Sequence, residues 1–187
     1  MTAIDPPDSL PDDGTGNLPL ADPKAGHVRA ASVEDLKTLL KALELEKVDY
    51  LLIGGYALYT LGYQRGTTDI DVLMRPTREQ GERAQRALLL LPDKVAKDLD
   101  PDWFLEAETI RVADAFVVDV MFNACGESYE SLQPYAVTID FDGVPVRTLN
   151  IEGLLKTKQT SRDKDKLDRM ILERAIQGSA KTQKHKT

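Results

Sequence analysis

Thr67-Thr68-Asp69-Ile70-Asp71-Val72 sets two carboxylates two positions apart in an apolar run, a short way after the pair Gly54-Gly55. The run from Asp69 to Met74 reads as a β-strand, on which side chains at i and i+2 share a face. Asp69 and Asp71 are then expected side by side, with Ile70 turned into a core. Adjacent carboxylates repel, and burying them is costly unless a cation joins them. A hard divalent ion such as Mg²⁺ takes oxygen ligands of this kind, often together with substrate phosphates. The pattern points to metal-dependent phosphoryl or nucleotidyl transfer.

A third carboxylate, Asp119, interrupts the apolar run Phe116 to Phe122. A lone buried carboxylate is destabilising, so it needs a partner. Beside the Asp69–Met74 strand it would complete a set of three. Such a set could hold two ions about 3.5–4 Å apart, and Asp119 could also take the proton of an acceptor hydroxyl. A salt bridge or an edge-strand position is the alternative for Asp119. Gly54-Gly55 falls between a predicted strand and a predicted helix, where glycine lets backbone N–H groups approach phosphate oxygens. A plain tight turn needs the same residues. Arg65 is a candidate phosphate clamp, and Thr67 a phosphate contact or a support for Asp69, against an ordinary polar loop.

The elements that must position these residues follow from pattern and punctuation. Ser32 with Asp35 reads as a capping box, followed by Leu36, Leu39, Leu40 and Leu43 on one helical face. Val48–Ile53 reads as a buried strand and Tyr56–Leu61 as a helix. Thr77 with Gln80 opens a helix to about Leu91. Pro101 divides the segment 93–108. Thr109–Val112 and Phe116–Phe122 read as strands with a turn near Asp114, and 126–133 as a short helix. Ala136–Phe141 and Val144–Leu149 flank Asp142-Gly143, a hairpin signal. Ile151–Gln159 and Asp163–Gln177 read as helices, with Gly178 as a C-cap. Helices alternate with strands early and hairpins follow, so the expected fold is α/β (α+β), a mixed sheet flanked by helices.

Composition narrows the class. A chain of 187 residues with 42% hydrophobic residues fits one domain with tails. The expected division is a Pro- and Asp-rich disordered leader over 1–30, a domain over 31–178 and a disordered basic tail over 179–187. No run reaches the ~18 apolar residues of a membrane span, and there is no signal-peptide h-region. Cys125 is the single cysteine, so no intrachain disulfide forms and a reducing, cytoplasmic setting is expected. His27 and His185 lie in the predicted tails, which argues against histidine-based zinc or acid/base chemistry. The net charge of −7 argues against indiscriminate nucleic-acid binding. Residues 156–187 nonetheless carry 10 Lys/Arg against 4 Asp/Glu, which suits a phosphate or RNA contact or, equally, a solvated helix and tail.

Ile53-Gly54-Gly55-Tyr56-Ala57, then Arg65-x-Thr67-x-Asp69-Ile70-Asp71, then Asp119 in its apolar strand, resemble the minimal nucleotidyltransferases of the DNA polymerase β superfamily. Leu154-Leu155-x-x-Lys158 and Arg162-x-Lys164-Asp165-x-x-Asp168 resemble the C-terminal pattern of its AbiEii-like group, which includes toxins of toxin–antitoxin systems. The resemblance covers residues 32–177. It implies an Mg²⁺-dependent transfer of NMP from an NTP to an acceptor hydroxyl, with two ions on Asp69, Asp71 and Asp119. It also implies triphosphate contacts from Gly54, Gly55 and Lys158, with Arg162, Lys164 and Asp165 completing the pocket. Many relatives carry serine where this chain has Gly55. That removes one hydroxyl ligand and favours the AbiEii-like group over the aminoglycoside-type enzymes. The acceptor expected on these grounds is RNA, such as a tRNA 3′ end, or protein, with an antitoxin as a further partner. The alternative is a catalytically silent nucleotide-binding or regulatory protein that kept the fold. On physical grounds alone, Lys158 or Lys164 facing the carboxylates would offset triphosphate charge. Asp165 and Arg169 could equally be an i, i+4 pair on a surface helix.

Overall fold

The Ser32 hydroxyl accepts from the Asp35 N–H at 3.2 Å, and the Asp35 carboxylate accepts from the Ser32 N–H at 2.7 Å. This reciprocal box starts α1, Val33–Leu45, whose Leu36, Leu39, Leu40 and Leu43 are fully buried. The structure, a computed structural model, describes residues 28–63 and 66–184. Arg65 and most of the predicted leader lie outside the described residues. Residues 28–31 are laced onto the domain: Arg29 N donates to Ala115 O at 3.1 Å and Ala31 N to Thr68 O at 2.9 Å.

Six strands form one mixed sheet: β1 (Tyr50–Ile53), β2 (Ile70–Met74), β3 (Ile110–Ala113), β4 (Val117–Met121), β5 (Ala136–Phe141) and β6 (Val144–Leu149). Their order is β3-β4-β2-β1-β6-β5. β2 runs parallel to β4 and β1 parallel to β6, while the remaining neighbours are antiparallel. The expected mixed sheet flanked by helices is therefore what the chain forms. The β5–β6 hairpin turns at Asp142 and Gly143, both at positive φ (51° and 79°), as a two-residue primed turn requires. Five further helices complete the fold: α2 (Gly54–Thr60), α3 (Arg78–Leu88), α4 (Tyr129–Leu132), α5 (Ile151–Lys156) and α6 (Asp163–Lys184).

Several boundaries differ from the sequence reading, each for a local reason. Asp69 lies in a bend just before β2 rather than on the strand, because the ladder with β4 begins at Ile70. α2 starts at Gly54 instead of Tyr56. Gly54 at φ +71° lets the chain turn from strand into helix with no connecting residue. Gln80 does not close a capping box with Thr77; its side-chain oxygen accepts from Asp49 N at 2.8 Å. α5 ends at Lys156, where the Thr157 hydroxyl donates back to Leu154 O at 2.8 Å. α6 continues through Gly178 to Lys184, into the segment expected as a tail. One glycine inside a helix costs only about 1 kcal/mol, and the residues around it include good helix formers.

The segment 93–108 makes two 3₁₀ turns, Val95–Asp98 and Pro101–Glu106. Buried Asp114 ties the first of them down by accepting from Asp93 N at 2.9 Å and Val95 N at 3.1 Å. Phe104 is fully buried and meets Phe122 edge to face at 5.1 Å, and Trp103 packs against the same core.

Candidate active site

Asp71 on β2 and Asp119 on β4 are Cα partners in the parallel ladder, so their side chains stand in one row on one face of the sheet. The flanking Ile70, Val72, Val118 and Val120 are fully buried on the other face. The bend brings Asp69 to the same place from the end of the strand. Thr67, expected to contact a phosphate or support Asp69, donates to the Asp69 backbone carbonyl at 3.2 Å and so holds the bend.

Arg111 on β3 extends the row, because it is the Cα partner of Asp119 across the antiparallel β3–β4 pair. Its guanidinium bonds both Asp119 oxygens, at 3.1 and 2.9 Å, and reaches Asp69 Oδ2 at 3.3 Å. Sequence reasoning missed this residue. The signal was present: in Ile110-Arg111-Val112 the arginine is the one polar position of an alternating strand, in hairpin register with Asp119.

Burial pushes the Asp71 carboxyl up to about 6, the Asp119 charge adds to this, Lys158 and Lys164 oppose it, and Asp69 adds a little more. Asp119 is also raised, by burial first; Arg111 works against the shift and Asp69 with it. In both, burial is the larger cause and the neighbouring carboxylate the smaller.

Gly54 closes one side. A Cβ on it would lie 1.9 Å from Asp71 Oδ2, so the strand-to-helix turn lies directly against the carboxylate. Ile53, the last residue of β1, is the Cα partner of Asp71, which fixes that approach.

The opposite wall comes from the α5–α6 connection. Lys158 is 8% exposed and lies 3.3 Å from Asp165 Oδ1 and 3.0 Å from Asp168 Oδ2, both on side chains only 1% exposed. Arg162 Nε donates to Asp165 Oδ2 at 2.9 Å, and the Thr160 hydroxyl donates to the same oxygen. Burial pushes Asp165 up, but the Thr160 hydroxyl, Lys158 and Arg162 together hold it below the usual carboxylate range. Arg169 does not act as a simple i, i+4 partner of Asp165. It donates to the carbonyls of Lys158 at 2.6 Å and Thr160 at 2.7 Å, which locks the connection onto α6.

All of this opens on one cleft of about 760 Å³. Gly54, Gly55 and Thr67 line it on one side and Asp69, Asp71 and Asp119 form its floor. Lys158, Arg162, Lys164 and Asp165 line the far wall. Lys164, exposed at the mouth, is the cation best placed to meet an incoming anion, while Lys158 is committed to its buried pairs.

The carboxylate oxygens of Asp69, Asp71 and Asp119, brought to one place, are donors of the kind Mg²⁺ takes. Among the described residues, however, no three His, Cys, Asp or Glu side chains are already gathered at ligand spacing. The Arg111 guanidinium bridges two of the three carboxylates instead. The donor types suit such an ion, while the arrangement present pairs two of the three carboxylates with an arginine.

No family model matches the chain, and no curated protein matches its sequence. Among solved structures the chain is similar to TM1012 from Thermotoga maritima, provisionally assigned as a nucleotidyltransferase. That likeness has a TM-score of 0.46 and 14% identity, covering 81% of this chain and 90% of that one. It is also similar to the antibiotic-resistance factor ANT(2'')-Ia, with a TM-score of 0.43 and 12% identity over 80% of this chain and 93% of that one. No helix among the described residues is long and apolar enough to cross a membrane.

Proposed function

We propose that the protein is an Mg²⁺-dependent nucleotidyltransferase of the DNA polymerase β type, moving NMP from an NTP to an acceptor hydroxyl with release of pyrophosphate. The observation that carries this reading is the Asp71–Asp119 pair. Two carboxylates in register on adjacent parallel strands, with Asp69 beside them, face a glycine turn and a basic wall across one cleft. Asp69, Asp71 and Asp119 would hold the ion, which when bound supplies charge neutralisation at the triphosphate and the attacking oxygen. The chain's own residues do the rest. The Gly54 turn gives the phosphates a close backbone approach, and Lys164 and Arg162 offset their charge as pyrophosphate leaves. The acceptor oxygen bonds to the α-phosphorus, the bond to the β-phosphate oxygen breaks, and the hydroxyl proton passes to Asp119.

The AbiEii-like pattern around Lys158 and Asp165 supports a toxin of a two-gene pair, with RNA as acceptor and an antitoxin as partner. The basic α5–α6 wall is compatible with such an acceptor. The alternative, a silent nucleotide-binding protein, draws on one observation: Arg111 already neutralises Asp119 and Asp69. Incubation with each α-labelled NTP, Mg²⁺ and a lysate, beside an Asp69→Ala/Asp71→Ala control, separates the two. Label on an RNA or protein band absent from the control supports transfer and gives the acceptor class. NTP binding without transfer to any acceptor offered favours the silent protein.

A further inference from the structure

Among the cations paired with carboxylates at this cleft, Lys158 and Arg111 are held very differently. Lys158 is buried between Asp165 and Asp168 and fixed by the α5–α6 connection. Arg111 is 44% exposed, stands on β3 at the edge of the sheet, and bridges Asp119 and Asp69, which are 15% and 31% exposed. A half-exposed pair of this kind is exchanged at low cost, whereas a buried one is not. The fork also occupies the oxygens that an ion would need.

We infer that Arg111 is the resident counter-ion of the site, a positioning residue that an incoming divalent cation must displace from Asp119 and Asp69. This rests on the metal-site reading above. In the ion-free protein Arg111 holds the two carboxylates together and stops their repulsion from opening the β3-β4-β2 row. When a cation binds, the guanidinium is released toward solvent. Arg111 therefore sets the threshold concentration at which the site loads. It is a built-in competitor, not a ligand.

The test is direct Mn²⁺ binding, read by the loss of the free-ion electron paramagnetic resonance signal. The proteins are the wild type, Arg111→Gln, Arg111→Lys and an Asp69→Asn/Asp119→Asn control. Removing the competitor should tighten Mn²⁺ binding in Arg111→Gln about tenfold, the size of one charge-assisted pair exchanged for water. Arg111→Lys keeps the charge but loses the second nitrogen that reaches Asp69, so it should fall between the wild type and Arg111→Gln. Should Arg111→Gln not fold, the lysine variant alone carries the comparison. Binding that is unchanged or weakened in both variants overturns the counter-ion role and leaves the metal site standing. Absence of binding in every protein, or full binding in the carboxylate control, overturns the metal site and the inference together.

Discussion

Asp71 and Asp119 stand opposite each other on two parallel strands whose connection runs through α3 and the β3–β4 hairpin. Their placement makes charge at Asp71 a burden on the fold. The folded carboxyl titrates near 6 against an ordinary value of 3.8, so the folded state holds its proton more tightly. That contribution to stability is fully present below the unfolded value and is lost as pH rises through about 6. Asp71→Asn should therefore stabilise the metal-free protein at pH 7.5, by about 1–2 kcal/mol after allowance for partial exposure. The gain should vanish by pH 4. Urea unfolding in chelator across this pH range measures it, and a loss of stability at neutral pH would contradict it. The same variant should lack nucleotidyl transfer.

Asp114 is the opposite case. It is fully buried, and it accepts from the backbone N–H groups of Asp93, Val95 and Ala115. Asp114→Ala leaves those donors unmet and should cost about 2–3 kcal/mol. Because Asp114 lies away from the cleft, the protein that remains folded should keep its transfer rate per mole. A rate loss beyond the unfolded fraction would show that the 93–98 segment reaches the site.

Gly54 is held by two constraints at once, a φ of +71° and contact with the Asp71 carboxylate. Gly54→Ala should destabilise the fold by about 2 kcal/mol or more. Gly66 lies on the rim of the same cleft, with no atom within 4 Å of where a Cβ would stand and no positive φ, so Gly66→Ala should stay within about 0.5 kcal/mol of wild type. Equal melting curves for the two variants would refute the steric argument.

Lys158→Met removes the cation that Asp165 and Asp168 share in the interior. A loss of about 3 kcal/mol is expected. Adding Asp168→Asn should recover part of it, because it relieves the repulsion between the two carboxylates that shared Lys158. Additive losses in the double-mutant cycle would mean the pair is not coupled.

Much of this was readable from residue types and spacing. Ser32 with Asp35 and Asp142-Gly143 are local devices whose partners lie within three residues, so sequence shows them directly. Asp71 and Asp119 were readable as carboxylates out of place in apolar runs. The start of β2, which leaves Asp69 in a bend, depends on where the ladder with β4 begins, and no local signal marks that. Arg111 carried a signal, the one polar position between Ile110 and Val112, whose meaning depends on the register. An arginine at one polar position of a short strand looks like a solvated residue until the hairpin register sets it opposite Asp119. The ion pairs of Lys158 were not readable, because its two carboxylate partners lie seven and ten residues on and only the turn into α6 folds them back over it.

The cleft is built from two ends of the fold. Its floor is complete once the sheet has formed, but Lys158, Arg162, Lys164 and Asp165 all follow β6 in the chain. A ribosome-bound intermediate ending at Leu149 already contains every strand and all three acidic residues, yet has no far wall. On the proposed function, a chain ending there would hold the acidic floor without Lys158, Arg162 and Lys164, the cations that face it from beyond β6.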